Sequence, residues 1–213
     1  MRVGFRKGFS LVICGLLGAT VLMAQSRRPE DLGVGKLLVV PRDFSDPNFA
    51  DSVVLLVHYG DDGVVGVMIN RRTQVPVSRV LRDLKGASKY SGPVFLGGPV
   101  EMEAVMALLQ SRTELPDATR VFGNVYLVSE KANLETALAG GGGSSELRFY
   151  AGYCGWTRGQ LENEVRRGDW YIFDSSEKLV FDSNPSTLWS RMIAITEQRF
   201  ARLHWLTPAW LWG

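Results

Sequence analysis

The sequence predicts a single domain built of both strands and helices. Apolar runs with strand character outnumber helical patterns along the 213 residues, and the two kinds are interspersed without a regular βαβ alternation. No internal repeat occurs, and no linker is long enough to separate two domains. Hydrophobic content of 46% and charged content of 22% are those of a globular chain with a real core.

The first two dozen residues stand apart. Arg2, Arg6 and Lys7 precede the apolar run from Phe9 to Ala24, a basic n-region followed by an h-region. The run is short for a membrane span. Residues 1–25 are therefore read as a signal peptide or N-terminal anchor, giving an exported, periplasmic or membrane-tethered protein. The alternative is a cytoplasmic chain whose translation starts at Met23. Those three basic residues account for the positive net charge of +2, so the body is close to neutral, and no nucleic-acid partner is expected.

The elements follow in order. Lys36 to Val40 is a strand closed by Pro41. Val53 to His58 is nearly all apolar, as in a strand buried on both faces. Gly60-Asp-Asp-Gly63 is a turn, and Val64 to Ile69 is its hairpin partner. Val77, Val80, Leu81 and Leu84 have helical spacing, stopped by Gly86. Pro93 to Leu96 is a short strand that turns at Gly97-Gly98-Pro99. Ala104 to Leu109 and Val125 to Val128 are further strands. Ser129 is a cap for a helix reaching Leu138, and Gly140 to Ser145 is a flexible connector.

The densest stretch runs from Tyr150 to Trp170. Leu147 to Tyr153 is a strand. Thr157 and Gln160 have capping-box spacing, with Trp156 and Leu161 placed as a hydrophobic staple. Leu161 and Val165 share a helix face, Gly168 is a helix stop, and Asp169 to Phe173 is the next strand. Gly159, at the second helical position on this numbering, points to a close approach by packed backbone or, less simply, to an anion at the free N–H groups. Glu162 lies beside the positive end of the helix dipole. Asn184 and Pro185 open a last helix, with Leu188, Trp189, Met192 and Ile193 on one face. Residues 201–213 form an aromatic tail that either packs back or meets a partner or membrane interface.

The motif Gly152-Tyr-x-Gly155-Trp-x-x-Gly159-Gln-Leu-Glu162 resembles the YqgE/AlgH family. Pro41, Asp46-Pro47-x-Phe49-x-x-Ser52-Val-Val54, His58, Gly63, Gly66, Asn70, the Gly97-Gly98-Pro99 turn, Trp170 and Trp189 match in order. The resemblance spans roughly residues 35 to 195 and implies a domain over about 35–200. The implied fold is one compact α+β domain with a folded-over, partly barrel-like mixed sheet flanked by helices. Some relatives carry the label of transcriptional regulator, and no catalytic residues carry over. Two departures are Cys154, where a small residue such as Ala is common, and the N-terminal extension.

Chemistry-bearing signatures are few. Only His58 and His204 are available as imidazole ligands, so no metal or other cofactor is expected. Neither a nucleophile elbow nor a dinucleotide loop occurs. The expected function is a non-enzymatic binding or scaffold domain for an unknown protein or small-molecule partner. Its candidate contact residues are Gly97, Gly98, Pro99, Trp156, Gly159, Gln160 and Glu162, and the resemblance puts the two turns side by side. The alternatives are a cytosolic regulator acting through a partner, or a thiol-dependent enzyme using Cys154, alone or paired with His58.

Overall fold

The structure is a computed structural model and describes residues 25–115, 117–140 and 146–206. In chain order the elements are β1 (Gln25–Ser26), β2 (Lys36–Val39), β3 (Val53–Gly60), β4 (Gly63–Met68), β5 (Arg72–Pro76), α1 (Val77–Val80), β6 (Pro93–Leu96) and β7 (Val100–Gln110). They continue with β8 (Thr119–Phe122), β9 (Val125–Val128), α2 (Lys131–Ala139), β10 (Leu147–Trp156), α3 (Gln160–Arg167), β11 (Tyr171–Asp174), α4 (Glu177–Val180) and α5 (Leu188–Leu206). The N-terminal segment 1–24, most of the 140–145 connector and the end of the aromatic tail lie outside the described residues. No helix among the described residues is long and apolar enough to cross a membrane.

The strands make one curled, half-barrel sheet in the order β1-β11-β2-β3-β4-β10-β7-β9-β8, with β6 also on β10 and β5 on β6. Every pairing is antiparallel except β6 with β10. β10 is the hinge of this arrangement. Its first half lies between β6 and β7, and its second half pairs with β4 through Cys154, Gly155 and Trp156. The change of neighbour coincides with a register shift between Ala151 and Tyr153, where Gly152 takes a φ of 70°. A side chain there would meet the Gly98 carbonyl oxygen at 2.5 Å, so both the conformation and the space demand glycine.

Alternation along the strands feeds separate cores. Val53, Leu55 and Val57 of β3 enter the cluster inside the curl, with Tyr150, Phe173 and Met192. Val54 and Leu56 enter a second cluster that α3 covers with Leu161 and Val165. A third lies under α2 and joins Leu134 and Leu138 to Phe149 and Tyr90. The apolar run in β3 is thus buried on both faces, as its composition predicts.

Four local expectations need correction. Helix α1 is a single turn, not the span to Leu84: Val77 is fully buried but Val80 is 45% exposed, and one anchored residue does not sustain a longer helix. Separate turns, Leu84 N–H to the Leu81 carbonyl and Ala87 N–H to the Leu84 carbonyl, bring Leu81 and Leu84 onto the third core instead. Ser129 is not the cap of α2, which begins after Glu130 with no side-chain cap bond. At the last helix, Asn184 and Pro185 begin a 3-10 turn over Pro185–Thr187 before α5 starts at Leu188. Finally, β5, β8 and α4 carry too little apolar pattern to stand out; β5 is an edge strand with only partial burial.

Candidate functional site

The motif segment is built on the end of β10 and the start of α3. Trp156 closes the strand opposite Val64 of β4. The chain then turns through Gly159, whose φ of 77° is left-handed, into a helix that begins at Gln160. Half of the expected capping box forms. The Gln160 side-chain oxygen accepts the Thr157 N–H at 3.1 Å, but it also accepts the Thr157 hydroxyl at 3.2 Å. The Thr157 hydroxyl therefore caps no helix N–H, although its carbonyl accepts the Gln160 N–H at 3.0 Å; Thr157 sits three residues before Gln160, and Gly159 is the residue just ahead of the helix. The packing role expected for Gly159 fails as well. A Cβ there meets nothing within 4 Å, so the glycine answers a backbone conformation only.

Two carboxylates leave this helix in different directions. Glu164 Oε2 accepts the indole N–H of Trp156 at 2.8 Å and that of Trp170 at 2.9 Å, while its other oxygen takes the Gln160 amide at 3.0 Å. Phe44 and Phe49, from the loop after β2, pack on the same two indoles. Glu162 instead accepts the Tyr59 hydroxyl at 2.5 Å, joining α3 to the end of β3. Desolvation, then this bond and the carboxylate charge, push the Tyr59 phenol up to about 12. The second oxygen of Glu162 is buried with no hydrogen-bond partner among the described residues.

Above this pair is a cleft of about 470 Å³ lined by Tyr59, Gly60, Asp61, Arg158, Gly159 and Glu162. Asp61 and Arg158 pair across its rim at 3.1 Å, both well exposed. At the same hairpin, His58 Nε2 and Asp62 are 2.8 Å apart, and this contact holds the Asp62 carboxyl below its usual range. Of the candidate contact residues, Gly159 and Glu162 line this cleft; Trp156 lies 6% exposed under it, and exposed Gln160 braces Glu164. Tyr59 and Asp61 were hidden in sequence by an apolar strand and a turn, and only their position beside a Gly-rich hairpin end marked them.

The Gly97-Gly98-Pro99 turn does not contribute to that cleft. Gly97 donates its N–H to the Ala151 carbonyl at 2.8 Å and accepts from Met68 at 2.7 Å, stitching β10 to β4. A Cβ on Gly98 would lie 2.1 Å from the Tyr153 carbonyl carbon. Both glycines are buried by the backbone of β10, and only Pro99 is exposed. The turn is thus joined to β10, whose end carries the motif, but it does not line the Tyr59–Glu162 cleft.

Cys154 is fully buried in the second core, its thiol 3.5 Å from the Gly97 carbonyl oxygen. Burial pushes the thiol up to about 12, which leaves no thiolate near neutrality. His58, exposed and engaged with Asp62, gives it no base. These facts speak against Cys154 as a nucleophile. Among the described residues no cluster of three or more His, Cys, Asp or Glu side chains is placed to hold a metal ion.

A family model described as AlgH-like matches residues 37–201. A UPF0301 protein of Chlorobaculum tepidum is 32% identical over 165 residues, which is 77% of this chain and 87% of the relative. A UPF0301 protein of Streptomyces avermitilis is 38% identical over 165 residues, 75% of this chain and 84% of its own. The solution structure of the AlgH protein from Pseudomonas aeruginosa superposes with a TM-score of 0.62 at 26% identity, covering 75% of this chain and 86% of that one. A crystal structure from Corynebacterium diphtheriae gives the same TM-score of 0.62 at 20% identity, covering 76% and 86%, a likeness of fold alone.

Proposed function

This chain belongs to the AlgH-like family, and from that premise we propose that its domain is a non-enzymatic binding module that uses the Tyr59–Glu162 cleft as its contact surface. One observation carries the proposal. Two polar pairs cross the cleft, Tyr59 with Glu162 and Asp61 with Arg158, and one Glu162 oxygen is left without a partner among the described residues. Such pairs hold a surface in one shape and present charges of both signs, which suits recognition of a polar segment of a protein partner. Proton or group transfer would call instead for a poised nucleophile and base within reach of each other.

A photo-crosslinking residue in place of Arg158 tests this in the native host, with the same residue in place of Arg112 as the control. A discrete crosslinked species at 158 that is absent at 112, and that Tyr59→Ala removes, supports the cleft. Equal or absent crosslinking at the two positions sinks it.

The basic-then-apolar start at residues 1–25 supports export or membrane tethering as the setting for this binding. Fractionation with intact-mass analysis decides it. A chain beginning near Gln25 outside the cytosol, or an uncut chain in the membrane fraction, agrees with the proposal; a soluble cytosolic chain beginning at Met23 overturns it.

A further inference from the structure

A second polar site lies where β5, β6 and the first half of β10 meet the segment after α4. Arg148 of β10 is 5% exposed. It donates to the Val180 carbonyl at 3.0 Å and to the Asp182 carbonyl at 2.6 Å. Its guanidinium carbon is 5.0 Å from the Phe95 ring centroid and 5.7 Å from that of Phe181. Two carbonyls and two aromatic faces therefore fix the direction of this buried cation.

Arg72 of β5 lines the same pocket, which has a volume of about 200 Å³. Its side chain is exposed and makes no hydrogen bond or ion pair with any described residue. Phe95, Phe181 and Pro93 form apolar walls, Ser183 adds a hydroxyl, and no carboxylate lines the space. The Asp182 carboxylate does not line the pocket; it pairs with Arg191 at 2.8 Å and accepts the Asn184 N–H at 2.8 Å, and it also feels the charge of Arg148.

We propose that this pocket binds a small organic carboxylate, with the anion between Arg72 and Arg148 and a flat apolar body against Phe95, Phe181 and Pro93. Two arginines without an acid among the lining residues select a negative charge, and guanidinium geometry suits a planar carboxylate. The apolar walls select an organic acid over a hydrated inorganic anion, because they offer phosphate oxygens nothing in exchange for water. The volume falls below the ~300–1,000 Å³ of pockets for drug-sized ligands, which limits the guest to about one ring. This site is separate from the Tyr59–Glu162 cleft and stands or falls independently of it.

The test is a titration of the 15N-labelled protein with benzoate, alongside neutral benzamide and inorganic phosphate. Benzoate is expected to shift the amides of Phe95 and Phe181 with half-saturation on the order of 10 mM or below, as its size allows. Benzamide and phosphate are expected to bind at least about tenfold more weakly. Arg72→Gln removes an exposed side chain and leaves the melting temperature unchanged; it is expected to weaken benzoate about tenfold. Absence of saturation overturns the proposal, as does an unchanged affinity in Arg72→Gln. Phosphate or benzamide matching benzoate overturns the assignment of an organic carboxylate.

Discussion

Trp156 and Trp170, edge to face with ring centroids 6.0 Å apart, aim both indole N–H groups at one oxygen of Glu164. The first lies at the end of β10 and the second just before β11, so a single carboxylate ties α3 to both strands. The Glu of the motif region with the most buried partners is therefore Glu164, two residues beyond the conspicuous Gly-Gln-Leu-Glu162 sequence.

Replacing that carboxylate measures the tie. Glu164→Leu strands two largely buried indole donors and is expected to cost about 2–4 kcal/mol. Glu164→Gln keeps an acceptor and is expected to cost about 1 kcal/mol. Urea unfolding followed by tryptophan fluorescence reads both; equal losses for the two variants would show that the acceptor is not what matters.

The glycines of the motif and of the Gly-Gly-Pro turn are expected to respond very differently. Gly98→Ala drives a Cβ to 2.1 Å from the Tyr153 backbone and is expected to abolish folding or cost more than about 3 kcal/mol. Gly159→Ala meets open space and pays only for the left-handed φ of 77°, about 1–2 kcal/mol. Thermal melts of the two variants check the order, and similar losses would contradict the packing described for Gly98.

Alkaline stability follows from the buried Cys154. The folded thiol is pushed up from 9.0 to about 12, so the unfolded chain loses this proton first as pH rises. Its contribution is full below about pH 9 and declines through about pH 12, by up to about 1.4 kcal/mol per pH unit. Tyr90, pushed up by burial from 10.0 to about 12, adds to the same fall. Denaturant midpoints between pH 8 and 11 should drop, and Cys154→Ala should flatten the first part of that drop. At pH 8 a thiol reagent should label Cys154 only as fast as the protein opens; rapid native labelling would disprove the burial argument.

Tyr150 offers a change in the opposite direction. Its hydroxyl is buried beside the Arg148 guanidinium, which counters part of the upward push of burial on the phenol but makes no hydrogen bond of good geometry to it. Tyr150→Phe removes a poorly satisfied polar atom and is expected to be neutral or stabilising by up to about 1 kcal/mol. A loss above about 1 kcal/mol in equilibrium unfolding would mean that the hydroxyl is engaged in solution.

The cores were legible in the sequence, because the unbroken apolar run in β3 and the Leu161–Val165 spacing on α3 report burial directly. Thr157 misled because its spacing to Gln160 imitates a capping box, while a left-handed Gly159 delays the helix by two residues. The cleft was legible only on one side. Gly159 and Glu162 belong to a dense motif, but Tyr59 and Asp61 reach them through the pairing of β3, β4 and β10 across about a hundred residues. Arg148 left a faint signal, a cation inside the otherwise apolar run Leu147 to Ala151, whose meaning depends on Arg72 and Phe181 arriving from distant segments.

The position of β10 has a consequence for the order of events during synthesis. β4, β6 and β7 leave the ribosome long before their common neighbour, which ends at residue 156. Until then the apolar β4 presents an open edge, and the second half of the sheet has nothing to close on. The nascent chain is thus most prone to self-association during translation of its middle third, and release from that hazard comes as one late event when β10 emerges.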